Sequence, residues 1–267
     1  MIIPTIGLFI LGTIFGSFLS VVNYRVKKKK KGIFFGRSQC TSCHKKLKIH
    51  QLIPILSYLI GKGRCMSCGK KISIVYPLLE LTSGLIFSAI FIHAPFINIT
   101  ANGINYFDPF LLISFIYTGF ISLYFIGILF YDIQNMEIPE IYTIPAIILI
   151  FIWGIFSPYL SFYEIAIGGG LAAVFFGLQV IISKEQWLGA GDTQVGIMMG
   201  LFFGWKLFLV SLVLTYFVGL IVTLILMLAK KVKGTSKIPF APFLVIGTFI
   251  TLFFGNDLLN MYISTLF

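Results

Sequence analysis

The sequence predicts an all-α polytopic membrane protein of about eight transmembrane helices, with one small polar domain inserted after the first. Three observations predict it. Of the 267 residues, 58% are hydrophobic and only 11% are charged, whereas a soluble domain carries about 25% charged residues. Apolar runs recur along almost the whole chain, near the roughly 20 helical residues that a hydrocarbon core of about 30 Å demands. The basic residues sort to one side of those runs.

In order, the expected spans are Ile2 to Val22, Ile74 to His93, Pro109 to Phe130, Ile138 to Phe156, Glu164 to Ile182, Thr193 to Phe203, Leu207 to Ala229 and Ile238 to Phe254. The first lacks a basic stretch before it and a small-residue cleavage site after it, so it reads as a retained helix and not a signal peptide. The sixth is short, since about 11 residues cover only about 16 Å at 1.5 Å per residue. A re-entrant turn is the other reading of that segment.

The positive-inside rule separates the two, because it gathers Lys and Arg of short loops on the cytosolic side. With the N-terminus outside and eight crossings, the segment Arg25 to Ser73, the turn at Asp132, the loop around Lys184 and the loop Lys230 to Lys237 all face the cytosol. Of the 20 basic residues, only Lys206 then lies outside. A re-entrant sixth segment would put Lys230, Lys231, Lys233 and Lys237 on the wrong face. The segment is therefore expected to cross, in the cytoplasmic (inner) membrane. The net charge of +11 sits beside apolar spans, where it sets topology and meets the lipid bilayer. No aromatic-basic recognition motif accompanies it, so nucleic acid is not an expected partner.

These boundaries divide the chain into a first transmembrane helix (1–23), a cytosolic domain (24–73) and a membrane-embedded core (74–267). The cytosolic segment carries 14 of the 20 basic residues and is too small to bury much apolar surface without a staple. The run Lys27 to Lys31 reads as a topogenic anchor. All four cysteines fall in this segment, as Cys40-x-x-Cys43 and Cys65-x-x-Cys68. Two thiolates from each tight knuckle suit a tetrahedral zinc ion, and a closed shell of four marks a structural metal. Gly69 follows the second knuckle, where positive φ helps the turn. Disulfides or free thiols are the alternatives, and a reducing cytosol disfavours the bridges. His44 is a nearby competing donor, while His50 and His93 have no partner at metal-ligand spacing.

Only nine acidic residues are present, and ionisable groups beside apolar helices are functional candidates. Asp132 ends the third helix, and Asp192 opens the sixth within Gly189-Ala190-Gly191-Asp192. Both lie at the cytosolic face, where two helix ends can bring two carboxylates together. Such a pair supports aspartyl chemistry, one carboxylate taking a proton from water while its protonated partner donates to a scissile carbonyl. Gly189 and Gly191, lacking Cβ, would let the backbone bend and a substrate strand approach. On spacing alone two bland readings stand beside this one, Asp192 as an N-cap and Asp132 as a solvated loop residue. Glu80 lies within the second span and is either a hydrogen-bond node or part of a polar site. Glu137, Glu140, Glu164, Glu185, Asp108 and Asp257 sit near span ends, where solvation accounts for them.

The ordered set of motifs resembles the bacterial type IV prepilin peptidase and N-methyltransferase family, the GxGD aspartyl peptidases. It runs Gly16-Ser17-Phe18-Leu19, Tyr24-Arg25, Arg37-Ser38-x-Cys40-x-x-Cys43, Ile53-Pro54-Ile55-Leu56-Ser57-Tyr58-Leu59 and Gly63-Arg64-Cys65-x-x-Cys68-Gly69. It continues with Ile72-Ser73, Tyr76-Pro77-Leu78-Leu79-Glu80-Leu81, Asp132 ahead of Ile138-Pro139, Gly189-x-Gly191-Asp192 and Pro239-Phe240-Ala241-Pro242-Phe243. The chain departs from the family pattern at Ser20, Thr41 and Gln194. The resemblance implies that Asp132 and Asp192 are the catalytic pair. It implies type IV prepilins or pseudopilins as substrates, cleaved at the cytosolic membrane face. It also implies S-adenosylmethionine as methyl donor, with no binding residues indicated. Two alternatives stand beside it: a peptidase without methylation, and a proton-coupled transporter whose aspartates relay protons. Transporters of that kind tend to bind at the midplane, whereas both aspartates here sit near one face.

Overall fold

The structure is a computed structural model, and it describes residues 2–29, 32–33, 36–100, 103–157, 160–231 and 238–266. The basic stretches 27–31 and 230–237 lie partly outside the described residues. Two compact units divide the chain, residues 1–127 and 128–267.

The first unit is built on α1 (Ile2–Lys27) and α3 (Val75–His93), joined by the cysteine segment with its short helix α2 (Leu56–Ile60). Glycines bring α1 and α3 close. A Cβ on Gly12 would stand 2.6 Å from the Ser83 carbonyl, and one on Gly16 would stand 2.8 Å from the Glu80 Cα. Without a hydrophobic drive between helices in lipid, this close backbone approach is what gives them packing energy. Phe87 of α3 packs edge-on against Phe115 of α4 (Pro109–Asn135), with ring centroids 5.8 Å apart.

Between α3 and α4 lies an antiparallel hairpin, β1 (Ile97–Thr100) and β2 (Gly103–Phe107), with an irregularity between Asn98 and Ile99. The all-α expectation missed it. Two strands of four and five residues between long apolar runs carry too little alternation to register.

The second unit contains α5 (Glu140–Phe156), α6 (Phe162–Ser183), α7 (Ala190–Leu228) and α8 (Ala241–Leu266). Ser161 and Glu164 form a capping box that starts α6. The Glu164 backbone N–H donates to Ser161 Oγ at 3.3 Å, and the Ser161 N–H donates to Glu164 Oε2 at 3.2 Å. Helix α7 is 39 residues long, but Gly204 inside it has φ 68° and ψ 175°, a conformation open essentially to glycine alone. The expected sixth and seventh spans are its two limbs. The first begins at Ala190 and not at Thr193, because the helix nucleates directly after Gly189. Gly168 of α6 meets Gly200 backbone to backbone, and Phe176 covers Gly196. Beyond Gly204 the second limb packs on α8, where a Cβ on Gly247 would stand 3.0 Å from the Ser211 carbonyl. Lys206 Nζ donates to Glu164 Oε1 at 3.1 Å and ties the break to the start of α6.

Six of these helices, α1, α3, α4, α6, α7 and α8, are long and apolar enough to cross a membrane, and α5 with 17 residues is shorter. Because α7 counts once among the six although Gly204 divides it, all eight expected apolar segments are helical. Large apolar side chains such as Ile10, Ile14, Leu171, Val213 and Phe217 point outward, as a hydrocarbon solvent requires.

Candidate functional site

Asp132 lies in the last turns of α4, three residues before its end, and is 4% exposed. It is no solvated loop residue. The backbone N–H of Ala241, the first residue of α8, is its hydrogen-bonding partner. Asp192 lies in the first turn of α7 and is half-buried. Its Oδ2 accepts from the Gly189 N–H at 3.0 Å, so Gly189 is the N-cap and Asp192 sits three residues inside. Each carboxylate thus meets free N–H groups at a helix N-terminus, where unsatisfied donors and the helix dipole favour negative charge. The two carboxyl groups are close enough for their charges to act on each other. The structure brings the expected pair together.

The two glycines differ. Gly189 has φ −82° and ψ 160°, an ordinary extended backbone. The room at Gly191 is filled from within the chain, since a Cβ there would stand 2.9 Å from Ile138 Cβ. Gly191 lets the loop between α4 and α5 close over the start of α7. On the next turn of α7, Gln194 accepts a hydrogen bond from the Thr143 hydroxyl of α5.

Sequence reasoning missed two neighbours of the pair. One is the Ala241 N–H, which only the motif Pro239 to Phe243 signalled. The other is Tyr216 on the second limb of α7, whose hydroxyl donates to Gln179 Oε1 at 3.1 Å and feels the charge of Asp192. Its ring lies 5.7 Å from that of Phe240, next to Ala241. A polar pair on otherwise apolar helices was the signal available for it.

The four cysteines of the first unit also converge. Their sulfurs all lie within 4.8 Å of one another, with Cys40 Sγ and Cys68 Sγ 4.0 Å apart. Metal–sulfur bonds of about 2.3 Å in a tetrahedron put sulfurs about 3.8 Å apart, so the group can hold a metal ion. All four are free thiols. The knuckles repeat each other. The His44 N–H donates to the Cys40 carbonyl at 3.1 Å and the Gly69 N–H to the Cys65 carbonyl at 2.8 Å, while Cys40 N and Cys65 N donate to Lys45 and Lys70 at 3.0 and 2.9 Å. His44 has φ 56° and Gly69 φ 70°. Gly69 supplies the expected positive φ, and His44 is its counterpart in the first turn, outside the thiol cluster. The backbone N–H groups of Cys43 and then Ser42 pull the Cys40 thiol down to about 6, toward the thiolate that metals bind. The Cys68 thiol, despite the Lys70 backbone N–H, is pushed up to about 11 by desolvation and by the other three thiols.

Glu80 is the hydrogen-bond node of the sequence reading. Its Oε2 accepts from the Ile55 N–H at 2.7 Å, and the Ser17 hydroxyl is a second partner. Asp108 caps α4, accepting from Phe110 N at 2.8 Å.

Together these features define a helical membrane protein with a paired-carboxylate centre and a separate four-thiolate cluster. Residues 10–94 match the family model described as the bacterial Peptidase A24 N-terminal domain, and residues 120–224 match the type IV leader peptidase family. The chain belongs to this family of aspartic peptidases. It is 29% identical over 257 residues to a prepilin leader peptidase/N-methyltransferase of Bacillus subtilis, covering 96% of this chain and 97% of that one. Proteins of the same name from Stutzerimonas stutzeri and Pseudomonas aeruginosa are each 25% identical, over 96% of this chain and 92% of theirs. No solved structure matches.

Proposed function

We propose that the protein is a prepilin leader peptidase. It cleaves the leader of type IV prepilin-like proteins at the cytosolic membrane face through Asp132 and Asp192, and then methylates the new N-terminus from S-adenosylmethionine. The observation that carries the peptidase is the carboxylate pair, two acidic groups within electrostatic reach, each at a helix N-terminus. Like charges so placed favour a shared proton. The ionised member draws a proton from water, the water oxygen attacks the scissile carbonyl, and the protonated member donates to the carbonyl oxygen. Electrostatics alone does not divide the roles, because the pair titrates as a unit.

The membrane arrangement is eight crossings with the N-terminus outside in the inner membrane, the two limbs of α7 counting separately. In this reading residues 1–23 form the first transmembrane helix, 24–73 a cytosolic domain and 74–267 the embedded peptidase core. Cys40, Cys43, Cys65 and Cys68 would hold zinc as a structural ion, since four thiolates leave no open position for substrate. The relatives' being prepilin leader peptidase/N-methyltransferases supports methyl transfer.

Asp132→Asn and Asp192→Asn test the peptidase. Each should lower cleavage of a short-leader prepilin by about 10⁴-fold, read by mass spectrometry, with insertion and metal content unchanged. The double variant should be no worse, because members of one catalytic unit are non-additive. Substantial cleavage by either single variant refutes the mechanism. A silent Asp192→Asn would reduce that residue to an acceptor for the Gly189 N–H at the start of α7, since an amide oxygen there can accept the same bond.

A further inference from the structure

Tyr216 and Gln179 form a polar pair beside the aspartates that the carboxylate mechanism does not use. Gln179 is the one polar side chain of α6 between Glu164 and Ser183. Tyr216, on the second limb of α7, follows Gly204 by as many residues as Asp192 precedes it. That limb runs alongside α6, with Lys206 bonded to Glu164 near the break and Tyr216 bonded to Gln179 further along. Equal lengths on the two limbs bring the tyrosine back to Asp192, whose charge reaches it. Its ring sits edge-on to Phe175 at 6.1 Å and lies 5.7 Å from Phe240, which precedes the residue whose N–H meets Asp132. The hydroxyl is therefore carried on an arm held by rings on either side.

The hydrogen-bonding capacity of the pair is only partly spent within the chain. The Tyr216 hydroxyl donates to Gln179 Oε1 at 3.1 Å, and Gln179 Nε2 donates to the Phe175 carbonyl at 3.3 Å. A phenol oxygen can still accept, and a primary amide has a second N–H to give. Side by side, one acceptor and one donor match the N–H and C=O of a peptide chain, and Tyr216 is 38% exposed to an incoming one.

We infer that Tyr216 and Gln179 dock the main chain of the substrate beside the scissile bond, the tyrosine oxygen accepting a backbone N–H and the Gln179 amide donating to a backbone carbonyl. The inference rests on the leader-peptidase reading proposed above. A carbonyl inside a helix is already hydrogen-bonded and crowded by its own turn, so the stretch to be cut must be extended before water can attack it. Extended backbone at membrane depth leaves its polar groups unpaired at a heavy cost unless the protein pairs them. Main-chain hydrogen bonds give affinity and register without reading side chains, so the pair would hold different leaders in one position against the aspartates.

The test compares kcat and KM of the full-length protein in detergent on a synthetic prepilin and on analogues with an ester in place of one amide near the scissile bond. Each ester exchanges a single backbone N–H for oxygen. Tyr216→Phe keeps the ring contacts and should lower kcat/KM on the all-amide substrate by about 3- to 10-fold, mostly through KM. On the analogue whose ester removes the docked N–H, the same substitution should cost nothing further, since the partner is already gone. Gln179→Leu should lower kcat/KM on the all-amide substrate to a similar degree. Wild-type kcat/KM in both variants overturns the assignment. So does an equal loss from Tyr216→Phe on the amide substrate and on every ester analogue, the result of a mere tie between α6 and α7. A wild-type protein that cleaves no prepilin sinks the leader-peptidase reading instead.

Discussion

Gly191 is the sharpest point at which packing can be made to report on the carboxylate pair. A methyl group at this position would stand 2.9 Å from Ile138 Cβ, 3.2 Å from its Cδ1 and 3.4 Å from its Cγ1. Carbon atoms rest about 3.8 Å apart, so the start of α7 and the loop after α4 must separate by nearly 1 Å. The neighbour is a side-chain root fixed to backbone, and swinging a flexible tip away does not relieve the clash. Overpacking of this kind costs about 1–3 kcal/mol. The displaced residue is next in sequence to Asp192, and a misplacement of about 1 Å can slow a reaction about 100-fold. Gly191→Ala should therefore lower the cleavage rate of a prepilin in proteoliposomes by about 10- to 100-fold, with the protein still inserted and metal-loaded. Ile138→Gly removes the opposing Cβ, so the double variant should recover a large part of the loss, a coupling that independent sites do not show. Wild-type cleavage by Gly191→Ala would refute the packing argument. A double variant no better than the single would show that Ile138 is not the obstacle.

Further outcomes follow from other parts of the fold. Cys40→Ser or Cys68→Ser should remove the metal and the protease resistance of residues 24–73, because one lost thiolate opens the site. Elemental analysis should give one metal ion per wild-type chain, and a content near zero without chelator would end the metal reading. Gly204→Ala should lower thermal stability by about 1–3 kcal/mol, since its φ of 68° and ψ of 175° suit no side chain. Unchanged melting in detergent would mean that the break survives without glycine. His44→Gly should leave metal content intact and raise stability by a few tenths to about 1 kcal/mol, because the left-handed turn no longer opposes a side chain. Loss of metal from that variant would make His44 a ligand.

Much of this was legible in the sequence because membrane solvent writes a loud signal. Runs such as Ile2 to Val22 and Pro109 to Phe130 appear as α1 and α4, each a few residues longer, because charged and polar ends such as Arg25 and Asp132 continue the helix past the apolar stretch. The cysteine knuckles were legible through their spacing, since a four-thiolate site needs two close pairs and little else. The aspartates stood out because only nine acidic residues exist. What remained hidden depends on contacts between distant segments. Nothing in the string marks Gly204, one of 26 glycines, as the one that breaks α7, nor shows that the gap at Gly191 is filled by Ile138. The Ala241 N–H is a backbone group, and composition does not reveal which amides a fold leaves free.

The division of α7 at Gly204 bears on the lipid as well as on the helix count. Its first limb, from Ala190 to Phe203, rises only about 20 Å, against a hydrocarbon thickness of about 30 Å. In the proposed eight-crossing arrangement this limb crosses by itself, and the acyl chains beside it would have to shorten or splay at a modest cost per ångström. Such thinning would bring the headgroups and water of the far face nearer to the start of α7, where the proposed hydrolysis consumes a water molecule. Membranes of longer acyl chains resist such a dimple, so under the proposed function and arrangement cleavage should slow as the host's acyl chains lengthen.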